Sequence, residues 1–72
     1  MVILGLDIST SCVGYAFTKD KEILDMGFID IKKLKTYREK AFFILSKLDK
    51  NKYIDAVEKI YVEDNLSGFA GG

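Results

Sequence analysis

Two carboxylates close apolar runs in this chain. Asp7 follows Val2-Ile3-Leu4-Gly5-Leu6, and Glu63 follows Ile60-Tyr61-Val62. An acid at the carboxyl-terminal end of a buried strand needs a backbone turn, a basic group or a metal ion. Asp7 therefore reads either as a cap on the following Ser9-Thr10-Ser11 turn or as a ligand of a metal or phosphate site. Glu63 reads either as a solvated strand end or as a second ligand. Asp64 beside it reads as a further ligand or as a turn residue, and the turn is preferred because alternation would send its side chain to the opposite face if the strand continued. Two carboxylates brought to one sheet edge repel unless a cation or a proton relieves them. The chain has no histidine, so oxygen donors would dominate any such site, which suits Mg²⁺ or Mn²⁺ better than zinc.

Other polar residues give weaker signals. Ser9, Thr10 and Ser11 with Gly14 have the hydroxyls and small size to form a tight turn or to contact a phosphate. No P-loop lysine follows, however, and the glycine spacing matches no nucleotide fingerprint. Cys12 reads as a turn or core residue. Basic residues gather between positions 32 and 52, with Lys32, Lys33, Lys35, Arg38 and Lys40 leading the group. They form either a solvated helix face or a surface for a nucleic-acid backbone, the latter with strongly salt-dependent binding. Tyr37 and Tyr53 read as packing residues.

The elements that would position these groups follow from periodicity. Residues 1–8 read as a first strand, rich in β-branched and aliphatic side chains. A tight connection over 9–14 leads to a second strand at 14–18. A charged turn at Lys19-Asp20-Lys21-Glu22 leads to a third at 23–31, with Gly27 marking a bulge or a sharp twist. Links this short allow only an antiparallel meander. Leu34, Tyr37, Ala41, Ile44, Leu45 and Leu48 then recur at helical spacing, predicting an amphipathic helix over 34–50. Thr36 can cap a slightly later start, with Glu39 completing a capping box. Residues 53–58 allow a short extra turn. Residues 59–63 read as a fourth strand, parallel to the first after a crossover. That pairing would place Asp7 and Glu63 together.

Length and composition set the outer bounds. Seventy-two residues make one domain or part of one, with a marginal core. Apolar residues at 49% suffice for a globular core and argue against disorder. Eleven basic and eleven acidic residues cancel, so net charge selects no partner. One cysteine forms no internal disulfide, and the opening apolar run is too short for a membrane span. A cytoplasmic protein with no membrane partner is the expectation. Leu66 to Gly72 reads as a glycine-punctuated loop, so residues 1–72 are expected to be the amino-terminal part of a larger single domain.

Ile3-Leu4-Gly5-Leu6-Asp7-Ile8-Ser9-Thr10-Ser11, followed by Val13-Gly14-Tyr15-Ala16, resembles the first strand and hairpin of the ribonuclease-H-like superfamily. The likeness is greatest to RuvC-type Holliday-junction resolvases and their phage relatives. Ile60-Tyr61-Val62-Glu63-Asp64-Asn65-Leu66 resembles that group's second acidic motif. The resemblance implies a partial ribonuclease-H-like α/β fold. Asp7 would match the central metal-bridging aspartate, and Glu63 the second ligand. It also implies a magnesium-dependent endonuclease of branched DNA, acting in recombination as a homodimer. Ile8 and the hydroxyl-rich turn depart from that family's usual pattern. Its remaining acidic ligands lie on a later helix, so these residues alone are expected to be inactive. Two other readings stay open. One is an actin-like or sugar-kinase-type ATPase, with Asp7 near the nucleotide phosphates; the other is a non-catalytic structural or partner-binding domain.

Overall fold

The computed structural model describes residues 1–64, and the predicted loop over 66–72 lies outside them. Four strands, one α-helix and one short 3₁₀ turn follow in the order β1 (Val2–Ile8), β2 (Cys12–Lys19), β3 (Glu22–Asp30), α1 (Tyr37–Asp49), the turn (Ile54–Ala56) and β4 (Val57–Asp64). The strands make one sheet in the order β3-β2-β1-β4. β1–β2 and β2–β3 are antiparallel, and β1–β4 is parallel. The expected α/β architecture is thus present: a meander, a helix, and a fourth strand parallel to the first. None of the described helices is long and apolar enough to cross a membrane.

Alternation explains which face is buried. Val2 and Leu4 of β1, Val13 and Phe17 of β2, and Ile29 of β3 meet Ile31 and Leu48 to form the core. Leu48 comes from α1, so the helix covers this face of the sheet. Phe17 has no exposed surface. Its ring meets Tyr15 edge-on at 5.9 Å and Tyr53 at 6.1 Å, between centroids. Asn51 joins the end of the helix to β3, donating through Nδ2 to Asp25 Oδ2 at 2.7 Å.

Local differences from the sequence expectation have identifiable causes. The second strand starts at Cys12, because Ser9 closes the turn early. Ser9 Oγ donates to the Cys12 carbonyl at 2.9 Å and accepts from the Cys12 N–H at 3.1 Å. The helix starts at Tyr37 rather than at residue 34. Thr36 caps it, Oγ1 accepting from the Glu39 N–H at 3.1 Å and donating to Glu39 Oε1 at 3.2 Å. Thr36 is extended, with φ −109° and ψ 157°, which excludes residues 34 and 35 from the helix. Gly27, read as a bulge or a sharp twist, pairs in regular register with Tyr15, and the bulge lies instead at Leu24: Phe17 pairs with Asp25, but Thr18 pairs with Ile23. A second bulge occurs at Glu58, between the Val2–Val57 and Ile3–Lys59 pairs. That extra residue lets Val57 and Ile60, three positions apart, both face the helix.

The β2–β3 hairpin turns through Asp20 and Lys21 at φ 49° and 72°. Both angles are left-handed, as a two-residue type I′ turn requires. A side chain at such a position costs about 1 kcal/mol relative to glycine. Lys21→Gly should therefore stabilise the chain by up to about 1 kcal/mol, raising the melting temperature by about 4–8 °C. A thermal melt followed by circular dichroism checks this, and a lower melting temperature would contradict the turn assignment.

Candidate metal centre

Register brings the two predicted acids together. Asp7 pairs with Glu63 across the parallel β1–β4 ladder. Directly paired residues share a sheet face and sit on strands about 4.8 Å apart. Both are exposed. Asp7 also pairs with Gly14, and Gly14 with Phe28. One transverse row therefore reads Glu63, Asp7, Gly14, Phe28 from edge to edge. The next row reads Tyr61, Gly5, Ala16, Met26, and the following one Lys59, Ile3, Thr18, Ile23.

These rows lie on the sheet face opposite the helix. Gly5, Gly14 and Ala16 give a low floor along the two central strands, while Tyr61, Met26 and Phe28 rise from the outer ones. The result is a trough of about 330 Å³, with Asp7 and Glu63 at one end. That volume is at the lower end for small-ligand sites. A Cβ built on Gly14 would lie 3.6 Å from Phe28 Cε1 and 3.8 Å from Asp7 Cβ. The aromatic ring and the acid thus flank the glycine directly. Lys59 Nζ lies 5.3 Å from the Tyr61 ring centroid, placing a cation on the same face.

The turn residues have structural duties. Ser9 is engaged with Cys12 as described, and the Ser11 carbonyl accepts from the Ile31 N–H at 2.9 Å. Lys40 Nζ donates to the Thr10 carbonyl at 2.9 Å, so this lysine tethers α1 to the β1–β2 turn. Lys32, Lys33, Lys35 and Arg38 are exposed on the β3–α1 connection and the first helical turn. These contacts place that basic segment at the same end of the sheet as Asp7 and Glu63. The carboxylates themselves project from the face away from the helix.

The donor set fits a hard divalent cation in part. Magnesium commonly binds through one or two carboxylates and completes its shell with water or phosphate oxygens. Asp7 and Glu63 match that minimum. Among the described residues, however, no group of three or more His, Cys, Asp or Glu side chains is placed to hold a metal ion. Asp64 continues the strand beyond Glu63, rather than turning as expected. The sequence reading missed Gly5, Ala16, Met26, Phe28 and Tyr61 as members of the acidic face. Their alternation with core residues was the available signal, but their alignment with Asp7 depends on the strand registers. Comparison with protein-family models, curated proteins and solved structures finds no match to this chain.

Proposed function

We propose that this chain supplies part of the active site of a metal-dependent endonuclease acting on branched DNA, in the manner of a Holliday-junction resolvase. The observation carrying this reading is the direct Asp7–Glu63 pairing at the carboxyl ends of two parallel strands. Ligands of α/β sheets bind at such ends. Asp7 and Glu63 are the residues that would hold Mg²⁺, or Mn²⁺ in its place. When bound, the metal would supply Lewis-acid stabilisation of phosphodiester hydrolysis and an activated water. The protein's contribution is to fix two oxygen donors side by side. Gly5 and Gly14 keep the floor beside them low enough for a sugar-phosphate strand to approach. Lys32, Lys33, Lys35 and Arg38 contribute positive charge at the same end of the sheet for phosphates farther along the DNA. With two acids paired among the described residues, these 72 residues by themselves are expected to bind metal weakly and not to turn over.

Titration with Mn²⁺, followed by paramagnetic broadening of amide resonances, tests the assignment. Wild-type protein should lose signals first around Asp7, Gly14 and Glu63. Asp7→Asn should weaken that site about tenfold, because it removes one charged donor of two. Equal, diffuse broadening in wild type and Asp7→Asn would remove the metal role. Circular dichroism of both proteins separates this outcome from unfolding.

A further inference from the structure

Among the described residues, Lys40 is the one half-buried cationic side chain; the other lysines and Arg38 are all exposed. A lysine ordinarily keeps its ammonium in water. Here both ends of the residue are fixed. The Lys40 N–H donates to the Thr36 carbonyl at 3.0 Å, the first turn of α1. The Lys40 ammonium donates to the Thr10 carbonyl at 2.9 Å, in the turn that follows Asp7.

That turn needs an external anchor. The Ser9–Cys12 bonds close it internally but leave it free to hinge as a unit. Beyond the two strands it joins, two hydrogen bonds hold it to the rest of the described residues. The Ser11 carbonyl accepts from the Ile31 N–H, and the Thr10 carbonyl accepts from Lys40. Packing adds little on the helix side, where a cavity of about 230 Å³ opens between Ile8 and Thr10 and the Tyr37, Ala41 and Ile44 side chains. Lys40 lines the same cavity and links the helix to the turn. The last ladder pairs before the turn are Asp7–Gly14 and Ile8–Val13. A strand end that frays there takes Asp7 with it.

We propose that Lys40 is a positioning residue for the metal centre: its tether holds the β1–β2 turn against α1 and keeps the Asp7 end of β1 aligned with Glu63. The inference rests on the metal reading of Asp7 and Glu63. It gives Lys40 a role different from the phosphate contact expected of its basic segment. Lys40 comes from the helix side and the two carboxylates project from the other, so it acts through the backbone and touches neither the metal nor its ligands. Two opposite effects separate a tether from a plain charge. A cation near a metal site repels the metal, so by charge alone its removal tightens binding. Removal of a tether weakens binding, because the freed ligands must be ordered when the metal arrives. The sign of the change identifies the mechanism.

Mn²⁺ titration of the 72-residue chain, read by paramagnetic broadening, tests this together with amide hydrogen exchange on the metal-free protein. Lys40→Met keeps a straight side chain and good helix propensity but loses the donor. It should weaken Mn²⁺ binding about fivefold, the worth of one partly exposed hydrogen bond. Exchange at the Ser9 and Cys12 amides should quicken by about the same factor. Lys40→Arg keeps a charged donor and should bind Mn²⁺ within about twofold of wild type. Lys47→Met removes an exposed lysine from the last helical turn, where its ammonium lies 5.2 Å from the Phe43 ring centroid, and should change neither readout. Phe17→Leu trims the core away from the turn and lowers the melting temperature. Equal Mn²⁺ weakening in that variant would assign the effect to general stability and overturn the proposal. Tighter or unchanged binding in Lys40→Met, or weaker binding with unchanged exchange, would overturn it too; the metal site itself still stands in that case if Asp7→Asn binds more weakly than wild type. Wild type and Asp7→Asn binding alike would remove the site, and the positioning role with it.

Discussion

Phe17→Ala should remove most of the stability of this chain. Phe17 is fully buried on the helix side of β2 and contacts aromatic residues from two different parts of the molecule. Truncating such a ring costs about 3–5 kcal/mol, combining lost transfer energy with the cavity left behind. A domain of this length has about 4–11 kcal/mol in total, scaling from the per-residue average. The loss is therefore about half or more of the mid-range reserve, and collapse around the site is limited because Tyr15 is anchored on a strand and Tyr53 at the start of a short turn. Urea denaturation monitored by circular dichroism should show a midpoint at half the wild-type value or below. Phe28→Ala gives the control, since Phe28 is 78% exposed on the opposite face and should change stability by about 0.5 kcal/mol or less. Equal losses for the two phenylalanines would mean that the helix does not cover the face assigned to it.

The contrast between these two rings also marks what the sequence could express. Both sit in apolar-rich strands, and neither type nor local propensity distinguishes them. Their separation to opposite faces depends on parity within each strand and on register between strands. Within β1 parity was legible, because Asp7 interrupts an otherwise apolar strand and fixes which positions can face the core. The parallel placement of β4 was legible too, because a helix separates it from a meander whose links are too short for anything but antiparallel pairing. Asp7 and Glu63 could therefore be brought together from sequence alone. The two bulges could not. Glu58 and Leu24 are ordinary residues for strands, and the extra residue in each case is accommodated by core packing that local sequence does not encode. The β2–β3 register depends on a turn through Asp20 and Lys21 with two left-handed residues and no glycine, which lacks the usual hairpin signature. Without that register, Phe28 could not be placed in the row of Asp7.

The acidic face follows from the same geometry. Glycine at positions 5 and 14 and alanine at 16 give the central strands little side-chain bulk on that side, so the floor stays low while the outer strands carry Tyr61, Met26 and Phe28. A covered sheet face would ordinarily be filled by larger apolar side chains at its centre. Here the bulk is at the margins and the charge is at one end. That distribution leaves a shallow trough along the middle of the sheet with Asp7 and Glu63 at one end.

Gly27→Ala should be the second most damaging substitution, although it adds a single methyl group. Gly27 pairs with Tyr15, and a Cβ at position 27 would lie 2.7 Å from the Tyr15 hydroxyl oxygen, 3.0 Å from Cζ and 3.1 Å from Cε2. The hydroxyl alone could move aside. The ring cannot do so cheaply, because it packs edge-on against the buried Phe17. Overpacking of this kind costs about 1–3 kcal/mol. Gly14→Ala is the matched comparison: it lies on the neighbouring strand, has no positive φ, and its added Cβ would meet nothing closer than 3.6 Å. It should be neutral within about 0.5 kcal/mol, since normal contact adds no strain and alanine loses less backbone freedom than glycine. Combining Gly27→Ala with Tyr15→Leu removes the clashing ring, so the two costs should fall short of additive by about 1 kcal/mol. Chemical denaturation of the four proteins in that cycle measures the coupling. Strict additivity would show that Gly27 is glycine for a reason other than the Tyr15 ring lying across it.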